Sequence, residues 1–515
     1  MATERVLTRR VRTGTRACGH TVTRPGYASV MCRTLSPAWH DGVVEQKSVR
    51  ESVVSAWTSD VIPSLSGLVA IPALSPAFDA GWADSGHLAA AVDHVREWIA
   101  GRDLPGATLE VVQLEDRTPV LLVDVPATPG AADKGTVLMY GHLDKQPPVG
   151  GWSEGLGPWT PVIRDGRLYG RGSVDDGYSG YAATTAIEAV HAAGGEHARI
   201  VVLLETGEES GSPDLPAYVE HLADRIGDVS LVVCLDAGGS DYERLWLVTS
   251  LRGMLHLDVT VQLLGSAQHS GVASGVVASS FRILRHLIER LEDSATGELL
   301  LDELKVDVPA DRLSELKAVA QDFPEALTKA FPLVEGGRVI TEDALELMLN
   351  NAWRPTLSVI GADGFPKPAD AGNVLRESTT LTLSFRLPPT ADAEKALEAV
   401  KRVLTTDVPY GAKVTLGSPQ AESGWNAPTE APWLTTALRT VSDEVFGRPH
   451  RATGMGGSIP FMGLLSRKYP DAQFLVTGAC GADSNIHVPD EWLHLDYAQQ
   501  VTEAVAHILD AHARG

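Results

Sequence analysis

The sequence predicts an α/β protein with a mostly parallel sheet, into which an α+β, ferredoxin-like domain is inserted. Three observations predict this. Apolar, β-branched runs alternate with helical patterns towards both ends of the chain. Between them lies a segment that reads strand, helix, strand, strand, helix, strand. The length of 515 residues exceeds the usual size of one core, so two domains are expected.

Residues 1–50 hold nine Lys or Arg against three acids and lack the apolar stretch of a secretory signal. They are expected to be a disordered extension, a transit-like segment or the product of an upstream start codon. The first part of the α/β domain is placed at 51–249. Its strands are "PVLLVDV" (119–125), "TVLMYG" (136–141), "RIVVLLET" (199–206) and "SLVVCLDA" (230–237), with helical patterns at 84–101 and 179–193. The inserted domain is placed at 250–422, from "MLHLDVTVQLLG" through "ASSFRILRHLIERLED", "TTLTLSFRLPP" and "ADAEKALEAVKRVL" to "AKVTLG". The α/β pattern resumes over 423–515 with "AQFLVTG" (472–478) between helices at 432–446 and 494–513.

The formal charge is -23 overall, and the acidic excess lies beyond residue 50, so the folded body should repel nucleic acid. No apolar run is long enough for a membrane span. The four cysteines, Cys18, Cys32, Cys234 and Cys480, have no metal-type spacing and suit a reducing cytoplasm rather than a disulfide scaffold.

Polar residues fall where the strands end. "TVLMYG" runs into His142, Leu143 and Asp144; "RIVVLLET" into Glu208 and Glu209; "SLVVCLD" ends on Asp236; "AQFLVTG" leads to "GADSNIHVPDE" with His487. Ligands of open α/β sheets bind outside the carboxyl ends of strands, so these groups are expected to converge. Asp175 and Asp176 lie in "YGRGSVDDGYSG", which taken alone also reads as a tight turn with an Asp helix cap. In "HLD", residues i and i+2 of an extended chain face the same way. Asp144 can then accept from one imidazole nitrogen of His142 and aim the other at a metal; an incidental pairing is the bland alternative.

Asp175, Glu209 and Asp236 bring three negative charges, and His142 and His487 two neutral nitrogens, a sum that suits two divalent cations. Mixed His and carboxylate ligation favours Zn²⁺, Mn²⁺ or Co²⁺ over Ca²⁺. Such a pair activates water and polarises a carbonyl or phosphoryl group, so hydrolysis is the expected chemistry. Glu208 and Glu209 are neighbours and point to different sides, so one can ligate while the other addresses the water. Glu205 receives no role.

"GHLDKQP", "LYGRGSVDDG", "ETGEESGS", "CLDAGG", "AQHSG", "GGSIP" and "ADSNIHVPDE", in this order, resemble the M20 family of co-catalytic metallopeptidases. The likeness is greatest to the dipeptidase branch that includes carnosine and cytosolic nonspecific dipeptidases, and it spans about residues 52–513. The resemblance implies that His142 and Asp236 complete one metal site and Glu209 and His487 the other, with Asp175 bridging them. It implies Glu208 as general base, Asp144 as orienter of His142, and a cis peptide after Asp175. The inserted domain would be a lid and dimerisation domain. Its His269 would reach the partner's active site and stabilise the oxyanion, Arg386 would bind the substrate's free carboxylate, Asn373 would lie near the substrate, and Ser458 would add carboxylate contacts.

The implied protein is a homodimer with two divalent metal ions per subunit, zinc foremost, that hydrolyses dipeptides or short peptides with a free C-terminal carboxylate. A metal-bridging water activated by Glu208 would attack. An N-acyl amino acid amidohydrolase using the same site, or a catalytically silent scaffold, are the rival readings. Three features depart from the family pattern: Asp176-Gly177-Tyr178 after the bridging Asp, Trp425-Asn426-Ala427-Pro428 where carnosine-type members carry a substrate-facing His, and Lys145 in place of a commoner apolar residue.

Overall fold

A computed structural model describes residues 7–12, 46–457 and 460–515. The chain divides into two compact units: Met1–Leu245 with Glu430–His450 and Asp471–Gly515, and Trp246–Thr429 with Arg451–Pro470. The second unit therefore extends beyond the expected 250–422 and takes in a later segment. The cause is the strand Trp246–Leu251, which pairs in parallel with Arg451–Met455 and antiparallel with Trp425–Asn426.

The first unit holds a seven-stranded sheet. Its order across the sheet is Leu7–Arg12, Thr108–Gln113, Val120–Val125, Arg199–Glu205, Thr136–His142, Val229–Cys234 and Gln473–Val476. The last four strands run parallel; the first three pair antiparallel among themselves and with Arg199–Glu205. The sheet is thus mixed rather than mostly parallel. Gln113 and Val120 are joined by a connection too short for the crossover that parallel neighbours need, so Val120–Val125 returns as a hairpin partner. Leu7–Arg12 belongs to this sheet as an edge strand, although residues 1–50 were expected to lie outside the fold; 1–6 and 13–45 are outside the described residues.

Every residue of Thr136–His142 is buried, as is nearly all of Arg199–Glu205. Parallel strands need cover on both faces. The helix Ser179–Ala192, almost wholly buried, packs on Thr136–His142, and the long helix Leu495–Arg514 packs on that helix in turn. The continuous Val, Ile and Leu runs read from the sequence accord with the burial of successive residues along these strands.

In the second unit, Gly253–Gln262, Thr356–Asp363, Ser378–Leu387 and Lys413–Glu422 form a sheet whose neighbours are all antiparallel. Helices Ser280–Ile288 and Ala393–Thr405 follow the first and third strands in sequence. The spatial order places Thr356–Asp363 at one edge, then Ser378–Leu387, Gly253–Gln262 and Lys413–Glu422, as the ferredoxin-like βαββαβ pattern requires. Burial alternates along Ser378–Leu387: Leu383, Phe385 and Leu387 face the helices, while Arg386 is half-buried on the other side. Residues 296–350, hard to read in the sequence, supply helices Ala310–Asp322 and Ala344–Ala352, which share a small core with Trp246 and Trp353.

Candidate metal centre

His142 closes its strand fully buried; the chain beyond the other parallel strands brings Glu209, Asp236 and His487 to it, and the turn before the helix Ser179–Ala192 brings Asp175. Nε2 of His142 lies 3.2 Å from Oδ1 of Asp175 and 3.9 Å from Oδ2 of Asp236. The other oxygen of Asp175, Oδ2, is 2.9 Å from Nε2 of His487, and that nitrogen is 3.2 Å from Oε2 of Glu209. Two ligand-sized groups result, His142 with Asp175 and Asp236, and Asp175 with Glu209 and His487. Asp175 is common to both. The peptide bond from Asp175 to Asp176 is cis.

Asp144 does more than the sequence suggested. Its Oδ1 lies 3.4 Å from His142 Nδ1, which is closer still, at 3.1 Å, to the Asp144 backbone carbonyl. Its two carboxylate oxygens also accept from the backbone N–H groups of Glu208, at 3.2 Å, and Glu209, at 3.0 Å. One carboxylate therefore holds both the histidine segment and the glutamate turn. The two glutamates lie in a single 3₁₀ turn, Glu208–Ser210.

The electrostatics fit a cation-binding role. Burial, with Asp175 and Asp176 adding repulsion, drives the Asp236 carboxyl well above its ordinary range. Burial also raises Glu208, to about 8, and Glu209; His142 opposes the first shift and His487 the second. Burial disfavours a charged His142, yet Asp144 and Asp175 outweigh it and lift that imidazole well above its usual value. Asp175 and Glu209 raise His487 to about 10. Buried carboxylates that hold protons on neighbouring imidazoles are in the condition a divalent cation relieves. The buried Oε1 of Glu209 has no hydrogen-bond partner.

Several contributors were not found by sequence reasoning. Gln146 donates from Nε2 to Oε2 of Glu209 at 2.6 Å. Arg171 and Glu491 form a buried ion pair at 2.6 Å, and Glu491 also accepts from the backbone N–H of Gly172 at 2.9 Å. That pair ties the Asp175 turn to the His487 loop. The loop itself is unusual: Asp483, Asn485, His487 and Asp490 all have positive φ, a conformation costly outside glycine. Asp490 anchors it by accepting from Ser153 N–H at 2.9 Å. Tyr178, noted only as a departure, donates its hydroxyl to the Leu235 carbonyl beside Asp236 and accepts from Ala479 N–H at 2.8 Å.

Lys145 is also accounted for. Its buried Nζ donates to the carbonyls of Leu68 at 2.7 Å, Ile71 at 2.8 Å and Val69 at 3.3 Å, closing the end of the helix Ile62–Val69. Burial pulls this amine down to about 7, but three carbonyl acceptors need the three hydrogens that only the ammonium carries. Glu205 stays outside the ligand groups and accepts from Tyr140 at 2.6 Å and Ser212 at 2.8 Å.

In the second unit, His269 is exposed and its Nδ1 accepts from Gly271 N–H at 3.1 Å. Gln268–His269 pairs with Val374–Leu375, and the exposed Asn373 accepts through its carbonyl from Ser270 N–H at 2.9 Å. His269 thus stands opposite Val374, next in sequence to Asn373. Arg386 stands opposite Met254 and Thr356. Ser458 lies outside the described residues.

A sheet whose parallel strands deliver paired His and carboxylate groups to one end, in a chain carrying a second α+β unit, defines a metallohydrolase class. The family model for peptidase family M20/M25/M40 matches residues 138–511, and the chain belongs to that family. It is an M20 metallopeptidase, a family that uses divalent metals. Among curated relatives, a cysteinylglycine-S-conjugate dipeptidase of Corynebacterium striatum is 25% identical over 431 residues, 81% of this chain and 89% of that protein. The Cys-Gly metallodipeptidase DUG1 of Saccharomyces cerevisiae is 28% identical over 362 residues, 66% of this chain and 71% of its own. Among solved structures, the M20 family metallo-carboxypeptidase Sso-CP2 of Sulfolobus solfataricus superposes with a TM-score of 0.72 at 19% identity, covering 89% of this chain and all of the other. That likeness establishes the fold.

Proposed function

We propose that the protein hydrolyses dipeptides or short peptides bearing a free C-terminal carboxylate. In this reading two divalent cations are held by His142 with Asp236 and by Glu209 with His487, with Asp175 shared. The observation that carries it is the orientation of Asp175, whose two oxygens face two different imidazoles at 3.2 and 2.9 Å. The activities named for the bacterial and yeast relatives support a dipeptide substrate.

Bound cations, Zn²⁺ foremost and Mn²⁺ or Co²⁺ as alternatives, would supply Lewis acidity and lower the pKa of water. Glu208 takes the proton of the attacking water and delivers it to the leaving amine. Asp144 fixes the backbone of the glutamate turn, so the base and the ligand keep their separate directions. Arg386 binds the free carboxylate through its planar guanidinium, with Asn373 and Ser458 on the substrate side. His269, supplied by the second subunit of a homodimer, donates to the developing oxyanion. The exposed apolar residues Val272 and Val276 beside it, 77% and 84% accessible, support a subunit contact there. Cys234 and Cys480 carry free thiols, which supports a cytoplasmic setting; no described helix is long and apolar enough to cross a membrane.

Replacing Glu208 by Gln should leave the metal content intact and lower kcat by roughly 10²- to 10⁴-fold. A variant within about tenfold of the parent would remove Glu208 as the base. A panel of matched dipeptides and N-acetyl amino acids, run on stripped protein reloaded with Zn²⁺ or Mn²⁺, tests the substrate. Cleavage of the acetyl compounds alone would make the protein an N-acyl amino acid amidohydrolase, and no turnover of either by metal-loaded protein would leave a scaffold.

A further inference from the structure

The second unit contains a buried cation with no counter-charge among the described residues. Arg252 is 8% exposed. Its Nε donates to the Gly456 carbonyl at 3.1 Å and one terminal nitrogen to the Asn350 carbonyl at 3.4 Å. A guanidinium has five donors, and no carboxylate among the described residues lies within ion-pair range of Arg252 or of Arg386. Burial pulls Arg252 down to about 10, and the like charge of Arg386 adds to the shift. Buried charges in proteins are as a rule paired, because desolvation without a partner is costly.

A cavity of about 280 Å³ is lined in part by Arg252. Its wall is otherwise mainly apolar, with Leu327, Phe331, Ile340 and Leu347, and its few polar groups, such as Asn351 and Thr356, are uncharged. Thr356 is the cross-strand neighbour of Arg386. Phe331 and Ile340 are 55% and 82% exposed, so the apolar wall is open at its rim. The volume lies just below the roughly 300 Å³ at which the range of ligand pockets begins, and suits one amino-acid residue. On the other side, a Cβ at Gly456 would stand 3.0 Å from both Arg252 and Asn351. That contact brings the turn before Ser458 against the same guanidinium.

We infer that this cavity seats an apolar amino-acid residue bearing a free carboxylate, with Arg252 as the second guanidinium for that carboxylate and Phe331 and Ile340 against the side chain. The inference rests on the peptidase reading above and deepens it: the preferred substrate ends in a residue such as Leu, and Arg252 determines specificity. The alternative is that Arg252 only props the 455–457 turn on the end of helix Ala344–Ala352.

The test measures binding to the metal-loaded full chain by calorimetry, using N-acetyl-leucine, its methylamide and N-acetylglycine, alongside KM and kcat for Ala-Leu and Ala-Gly. The parent protein should bind the leucine acid more tightly than its methylamide by roughly ten- to a hundredfold. Arg252→Met should abolish that difference and raise KM for Ala-Leu with little change in kcat, while Arg252→Lys, which keeps the charge, should retain part of it. Phe331→Ala with Ile340→Ala should erase the preference for Leu over Gly and keep that for acid over amide. Equal binding of acid and methylamide by the parent, or unchanged discrimination in Arg252→Met, would overturn the inference. Cleavage of Ala-Leu with either result leaves the peptidase reading standing, whereas discrimination in binding without peptide cleavage would sink that reading and keep the site.

Discussion

Asp144 is the residue on which the proposed catalytic geometry turns. It faces the histidine segment and accepts from two consecutive backbone N–H groups, those of Glu208 and Glu209. An asparagine there would keep one acceptor and set an NH₂ donor against a backbone donor. Asp144→Asn should therefore lower kcat/KM by about 10- to 100-fold and weaken metal retention by a similar factor, read by steady-state kinetics and metal analysis after dialysis. Full metal and parental turnover would strip the carboxylate of this role. At this scale His142, Glu209, Asp236 and His487 were legible because they follow apolar runs, Asp175 only through the company of those groups, and the "HLD" spacing suggested the Asp144 contact with His142. Its grip on the glutamate turn was not, since the acceptor and its donors are 64 and 65 residues apart. Gln146 with Glu209, Arg171 with Glu491 and Tyr178 with Ala479 are 63, 320 and 301 residues apart, and no local pattern marks such pairs.

The strand Thr136–His142 shows what a single element must satisfy. Gly141 precedes His142, and a Cβ there would fall 2.0 Å from Oγ of Ser179 and 2.7 Å from Oδ2 of Asp176. The glycine is needed because the start of the next helix crosses this strand closely enough for Asp176 to accept from His142 N–H at 3.2 Å. Gly141→Ala should cost roughly 1–3 kcal/mol and reduce metal affinity, measured by thermal melting and by competition with a chelator. An unshifted melt would mean the contact relaxes freely. Five strands of the main sheet were readable from their β-branched content, Thr108–Gln113 and Leu7–Arg12 were not, and the βαββαβ order of the second unit was readable from its alternation of periods. Pairing direction was misread in part, because an apolar run reads the same in a parallel strand and in an antiparallel one buried on both faces. The length of the 114–119 connection was the signal that could have corrected it.

At the level of the whole molecule, the proposed trans role of His269 makes a prediction that no single-subunit account shares. His269→Ala and Glu208→Gln should each be nearly inactive alone. Co-expressed, the two chains pair at random, half the dimers are mixed, and each mixed dimer keeps one intact site. About a quarter of parental activity should then return, read as specific activity of the purified mixture. If His269 served its own subunit, nothing would return. Sedimentation should report a dimer under the same conditions.

What the sequence alone determined was local: the alternation of strand and helix periods, the ferredoxin-like order of the second unit, and the chemical types gathered at strand ends. Those follow from spacing along the chain and from side-chain chemistry. The tertiary structure decided the mixed direction of the main sheet and the recruitment of 451–470 into the second unit. It also set the two oxygens of Asp175 towards two different imidazoles, and left Arg252 buried without a counter-charge among the described residues. Each depends on distances between residues far apart in sequence, and those are set by strand register and packing rather than by any pattern within a segment.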